Sequence, residues 1–275
     1  MSTSRCLFAS MLLAGWGLIL GCQASSSKRV KPVEMDAVDS AFAMLSQETV
    51  SETVDTVAAD VSPAEAWVEV VNTDQLMIFY PRFATIDLVC QTMPNPETDT
   101  DVLFCCEAAF TGELKLDFSH SNIADPHVSG GKWYKGYTCN ANTGAFMWYD
   151  GTWRFAKKPV DLHPVAEKKG MAFCQRLLIL DGETQPMWQR MRKNKTQYRA
   201  LCEVDHRLCI IESKNVITFE RFLSLLEQQR VTNAIYLDMG RGWNYAWFRT
   251  DSTRVEKLHP LIQIPFTTNW VVFKR

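Results

Sequence analysis

The stretch Ala234-Ile-Tyr-Leu-Asp-Met-Gly240 decides how this chain folds, and the residues just before it say why. Phe219, Phe222, Leu223 and Leu226 recur at i, i+3, i+4 and i+7, the apolar stripe of an amphipathic helix. Thr218 stands where an N-cap is needed, and Glu220 suits the positive end of the helix dipole. Val231-Thr-Asn233 then supplies a turn. The run Ala-Ile-Tyr-Leu is too short for a second helix, so it reads as a buried strand with Asp238 where the strand runs out. Gly240 and Gly242 flank Arg241, so the backbone beyond the acid can bend sharply or approach a ligand closely. An acid at a strand end before such a loop either displays a catalytic carboxylate or merely caps the turn.

Working outward, strand-like runs recur at Trp67-Val-Glu-Val-Val71, Leu76-Met-Ile-Phe-Tyr80, Ile86-Asp-Leu-Val-Cys90, Val102-Leu-Phe-Cys105, Met171 to Leu180, Leu201 to Val204 and Trp270-Val-Val-Phe273. Only one convincing long helix interrupts them. That balance predicts a single α+β domain over residues 66–275, with a large, partly mixed sheet and few helices. Nearly all of the 9 Trp and 15 Phe fall in this span, enough apolar bulk for a proper core. The sequence contains no internal repeat.

Ahead of the domain, Arg5 and the apolar run from Leu7 to Leu20 make residues 1–21 an export signal, too short for a comfortable membrane span. Ile19-Leu-Gly21 before Cys22 resembles a bacterial lipobox, which makes Cys22 the expected lipidation site and the membrane contact. Residues 22–65 are rich in Ser, Thr, Glu, Asp, Val and Ala and read as a flexible tether. The residues just after Cys22 are not acidic, and the expected location is the cell envelope, facing the periplasm. A net charge of -2 argues against nucleic acid as a partner. The basic run Arg190 to Lys195 reads as a solvated turn.

Seven of the nine cysteines lie beyond Cys22. Cys105 and Cys106 are adjacent on a strand and face opposite ways. Cys202 and Cys209 sit on consecutive strands, either as a cross-strand disulfide or as small buried hydrophobes. No Cys-x-x-Cys pair or matching His spacing points to zinc, and no cofactor is called for. His163, His206 and His259 stand singly and read as structural. The connection Ser119-His-Ser-Asn-Ile-Ala-Asp-Pro-His-Val-Ser-Gly-Gly131 either positions a sugar or phosphate, through His120 and His127, or is a long surface loop.

Several segments, in order from Trp67 to Phe273, resemble the phosphodiester glycosidase family. They are Cys106-Glu-Ala-Ala-Phe110, Gly144-Ala-Phe-Met-Trp-Tyr149, Ala172 to Gly182, Tyr198-Arg-Ala200, Arg207-Leu-Cys-Ile-Ile-Glu-Ser213 and Asn233-Ala-Ile-Tyr-Leu-Asp238. The chain departs from that pattern at two places. Met239-Gly-Arg-Gly-Trp-Asn244 replaces the run of glycines and serines after the aspartate, and Glu107 replaces an asparagine.

The resemblance implies hydrolysis of a sugar phosphodiester or related anionic glycan through an oxocarbenium-like transition state, with a carbohydrate or sugar phosphate as ligand. It implies Asp238 for acid/base work, Glu107 as the second carboxylate and Arg199 as a clamp on phosphate oxygens. His120 or His127 would supply a proton or hydrogen bond, and Gly240, Trp243 and Asn244 would line the sugar site. The alternative is a non-catalytic envelope protein that binds glycans with a degenerate site. A third reading is a purely structural lipoprotein.

Overall fold

The computed structural model describes residues 67–112, 119–187, 192–239, 244–259 and 268–275. The expected signal segment 1–21, Cys22 and the tether 22–65 lie outside the described residues, as do Gly240 and Trp243. The helix forms over Phe219–Gln228, capped by Thr218, whose Oγ1 accepts the Arg221 amide at 3.2 Å. Its stripe of Phe219, Phe222, Leu223, Leu225 and Leu226 is buried. It packs against Ile78, Ala200, Ile211 and Tyr236 from one face of the large sheet. The one-turn helix His163–Glu167 is the other α-helix complete within the described residues. No described helix is long and apolar enough to cross a membrane.

The large sheet has seven strands in the order Val68–Asn72, Leu76–Pro81, Arg207–Ser213, Arg199–Val204, Asn233–Leu237, Leu177–Leu180 and Glu183–Thr184. The strand foreseen before Asp238 is thus near its middle, with Leu237 opposite Arg199 and Ile235 opposite Leu201. A second sheet orders Val255–Lys257, Ala246–Arg249, Val102–Glu107, Asn269–Lys274 and Thr85–Cys90. A third orders Lys132–Tyr134, His127–Ser129, Met171–Gln175, Gly144–Tyr149 and Thr152–Lys157. The expected sheet-rich domain with few helices is what forms. The expected mixing of parallel strands does not occur: the ladders are antiparallel, and among the described residues a parallel pairing occurs only as the isolated bridge Ala124–Tyr137.

The main core lies between the sheets. Phe79, Leu201, Ile210, Ile235 and Leu237 of the large sheet meet Phe104, Phe248 and Phe273 of the second and Phe146 and Phe173 of the third. Strand alternation puts Arg199 and Glu212 on the same face as Leu201 and Ile210, so two charged residues are driven into this layer.

One strand expectation changes here, and two alternatives left open by the sequence are decided. The run Met171 to Leu180 is not one strand. It breaks at Arg176, whose amide is taken by the Gln175 side chain at 2.9 Å, and the chain crosses from the third sheet to the large one. Cys202 and Cys209 are direct cross-strand partners, yet both are free thiols. Burial raises both thiols above their ordinary pKa and disfavours the thiolate that exchange requires. The polar connection is not a surface loop. It holds the turn His120–Asn122 and the strand His127–Ser129, and Asn122, Ile123, Ala124, Asp125 and His127 are buried.

Candidate functional site

At the seam between the large and second sheets, three charged side chains have no exposed surface at all: Arg199, Glu107 and Glu212. Arg199 donates from Nε to Glu212 Oε2 at 2.8 Å, from Nη1 to Glu107 Oε2 at 3.1 Å, and from Nη2 to the Asn244 carbonyl at 3.1 Å. The far oxygen of Glu212, Oε1, lies 2.6 Å from Nε2 of His259, whose side chain is 14% exposed. Charges buried this deeply persist only when paired, and this set alternates in sign along its length. The far oxygen of Glu107, Oε1, is buried with no hydrogen-bond partner, the one carboxylate atom of the cluster left so.

Local structure explains the placement of Glu107. It ends the strand Val102–Glu107, and the chain beyond it is gripped by Asn269. That side chain accepts from the Ala109 amide at 2.7 Å and donates to the Ala109 carbonyl at 3.0 Å. The Ala108 carbonyl then accepts from the main-chain N–H of Asp238 at 3.0 Å. This bond ties the end of the central strand to the second sheet and brings the two acids of different sheets to one place. Small residues at positions 108 and 109 permit the approach, and both are fully buried.

Asp238 is 5% exposed. Burial pushes its carboxyl up to about 7, against the opposing pull of the Met239 and Thr111 amides and of Arg199. Burial likewise holds Glu107 well above the ordinary carboxylate range. The Arg199 guanidinium opposes this, while the charge of Asp238 adds to it. Glu212 differs. Burial works upward there too, but Arg199 and His259 outweigh it and leave the group below its ordinary value. Two carboxyls of one neighbourhood are therefore held above their ordinary range and the third below it. Tyr137 belongs to the same neighbourhood: burial, then Cys139 and Asp238, raises its phenol.

His127 and His120 form a separate group. The Nδ1 of His127 donates to the Asp125 carbonyl at 3.1 Å, which leaves Nε2 to accept from Nδ1 of His120 at 3.0 Å. Burial lowers His127 to about 4, so it is neutral at ordinary pH. His120 stacks on Tyr134 with ring centroids 3.4 Å apart. Beneath them Asp125 accepts from Asn142 Nδ2 at 2.9 Å and pairs with Lys158 at 2.8 Å.

Of the residues singled out by sequence, Glu107, Arg199 and Asp238 come together, and Asn244 joins them through its main-chain carbonyl. Arg199 does not reach outward as a clamp on a ligand. Its three bonds hold two of the protein's own carboxylates and a carbonyl, because strand alternation turns it into the core. Glu212, His259, Tyr137 and Asn269 were not foreseen as site residues. Glu212 carried a weak signal, as the lone acid of an otherwise apolar run. Among the described residues no three His, Cys, Asp or Glu side chains gather as a metal site. A cavity of about 580 Å³ lies elsewhere, lined by Trp153, Lys157, Asp181, Glu203 and Asn233. Asn233 begins the strand that Asp238 follows, so this cavity opens at the opposite end of that strand.

No family model matches the chain, and no curated protein matches it in sequence. Solved structures do match. A hypothetical protein from Synechocystis superposes with a TM-score of 0.51 at 10% identity, over 76% of this chain and 61% of that one. The present chain thus spans less than two thirds of that protein, and the likeness is one of fold alone. The catalytic domain of zebrafish N-acetylglucosamine-1-phosphodiester alpha-N-acetylglucosaminidase, auto-inhibited by its pro-peptide, gives a TM-score of 0.49 at 11% identity, over 76% of this chain and 81% of that one.

Proposed function

We propose that this chain is a hydrolase of a sugar phosphodiester or related anionic glycan, with Asp238 and Glu107 as its acid/base pair. The observation that carries the reading is the pairing of two buried carboxyls, one titrating at about 7 and the other well above its ordinary range, around one guanidinium. Hydrolysis at an anomeric carbon needs one group to give a proton to the leaving oxygen and another to take one from water. Burial holds Glu107 well above the ordinary carboxylate range, toward the protonated form that a general acid needs, and its unpartnered Oε1 is the oxygen that can donate. Asp238 changes charge near neutrality, which suits it to take a proton and return it. Arg199 is a positioning residue in this scheme. The phosphodiester part of the reading comes from the sequence resemblance between Trp67 and Phe273.

A second reading, a glycan-binding module without turnover, is favoured by one specific feature. Arg199 is spent on the protein's own groups, and Met239 stands where the family pattern has open glycine backbone. In either case the chain is exported, lipidated on Cys22 and held in the envelope facing the periplasm, with its ligand a carbohydrate or sugar phosphate.

The deciding experiment is hydrolysis of a chromogenic N-acetylglucosamine phosphodiester by the full chain and by Asp238→Asn. Turnover by the parent, reduced about 10²- to 10⁴-fold in the variant, is expected. Binding of glycans without turnover moves the protein to the second reading. Neither turnover nor binding removes both.

A further inference from the structure

The Glu107–Arg199–Glu212 cluster does not end in the core. It continues to His259, which alone among the four side chains touches solvent. The links run His259 Nε2 to Glu212 Oε1 at 2.6 Å, Glu212 Oε2 to Arg199 Nε at 2.8 Å, and Arg199 Nη1 to Glu107 Oε2 at 3.1 Å. We propose that His259 is a positioning residue which, by occupying one oxygen of Glu212, keeps Arg199 turned toward Glu107 and so fixes that carboxyl beside Asp238.

Two donors compete for Glu212. A carboxylate facing a guanidinium prefers to take two parallel N–H bonds from it. Glu212 takes only one, from Nε, because its other oxygen is engaged by His259. The guanidinium is therefore left with Nη1 for Glu107 and Nη2 for the Asn244 carbonyl. Without the imidazole, Oε1 of Glu212 is a buried anionic oxygen lacking a donor, an unfavourable state that Arg199 can relieve by swinging round. Glu107 would then lose the guanidinium bond to its Oε2. Its Oε1 already lacks a partner, so the carboxyl would lose the one side-chain donor that orients it.

The groups that face Glu107 are few. Arg199 approaches from the large sheet, Asp238 from the end of the central strand, and Cys105 and Cys106 flank it on its own strand. Glu212 lies across Arg199, and Tyr245 adjoins Glu107 from the second sheet's side. Of these, Arg199 alone brings positive charge. A change that swings Arg199 away acts on Glu107 and Asp238 together, in the same upward direction.

The proposal builds on the acid/base reading of the site, so its test keeps a readout free of activity. The full chain, with 13C-labelled Asp and Glu carboxyls, is titrated by NMR as the parent, His259→Asn and His259→Gln. Glutamine reaches Glu212 with a donor roughly where Nε2 stood, and asparagine falls short. In His259→Asn the Asp238 titration should move up by about half a unit to one unit, while His259→Gln stays with the parent. If turnover is present, kcat should fall about tenfold in the asparagine variant with KM little changed, and recover in the glutamine variant. A parent without turnover removes the hydrolase reading but leaves the titration to decide on His259. Identical Asp238 titrations in all three proteins would overturn the proposal. A uniform loss of fold in both variants would do so as well, since it makes His259 a structural residue whatever the reach of its replacement.

Discussion

Asp238 illustrates what burying a single carboxyl costs and what it makes possible. Its folded pKa of about 7 lies above its ordinary 3.8, so the folded chain binds more protons than the unfolded one between those values. Stability contributed by this group must therefore fall as pH rises from about 4 to about 7, and level off above. Replacing it by asparagine removes the charge and hence the penalty. Asp238→Asn should melt higher than the parent at pH 8, by an amount on the order of a few kcal/mol in unfolding free energy, and converge with it near pH 4. A thermal denaturation series across pH checks this, and a variant that melts lower at pH 8 would refute it. The two glutamates should behave oppositely. Glu107 accepts one bond from Arg199 through Oε2, which an amide oxygen can accept as well, so Glu107→Gln is close to isosteric and should change stability by less than about 1 kcal/mol. Glu212 is the anion that balances Arg199, and Glu212→Gln should cost roughly 3–5 kcal/mol by stranding a buried cation. Urea unfolding of the two variants side by side distinguishes them.

At the level of elements, the helix Phe219–Gln228 and the strand after it could be drawn from sequence because their signals are local. An apolar stripe, a cap and a turn all fall within twenty residues of one another. Thr218→Ala should lower unfolding free energy by about 1 kcal/mol, and Phe222→Ala, which empties a fully buried site, by roughly 3–5 kcal/mol. Chemical denaturation of both variants measures these costs, and equal losses would mean the helix is held by something other than its stripe. What sequence did not disclose was the break at Arg176, since ten apolar and polar residues in a row look alike whether one sheet or two receive them. The site was legible in the same uneven way. Asp238 announces itself by its neighbours, whereas Glu212 and His259 are 47 positions apart and meet only because two sheets close on each other. No spacing rule records such a meeting.

For the whole molecule, the proposed export signal and lipid anchor make a prediction of a different kind. Cys22→Ala should abolish incorporation of labelled palmitate and release the chain from the membrane fraction, whereas the parent stays bound. Retention of the variant in membranes would point to another anchor. The domain itself is organised around the bond between the Asp238 amide and the Ala108 carbonyl, the stitch that joins one sheet to the next. Because Glu107 rides on one sheet and Asp238 on the other, the gap between the acids is set by how closely the two layers are pressed, and not by either acid's own strand. Ala108 and Ala109 act as the thinnest possible shim in that press. A residue one or two carbons larger at either position would widen the gap while leaving every charged group intact. Drift at these two plain alanines is therefore a route by which relatives of this chain can retune or silence the acid pair without altering a single ionisable side chain.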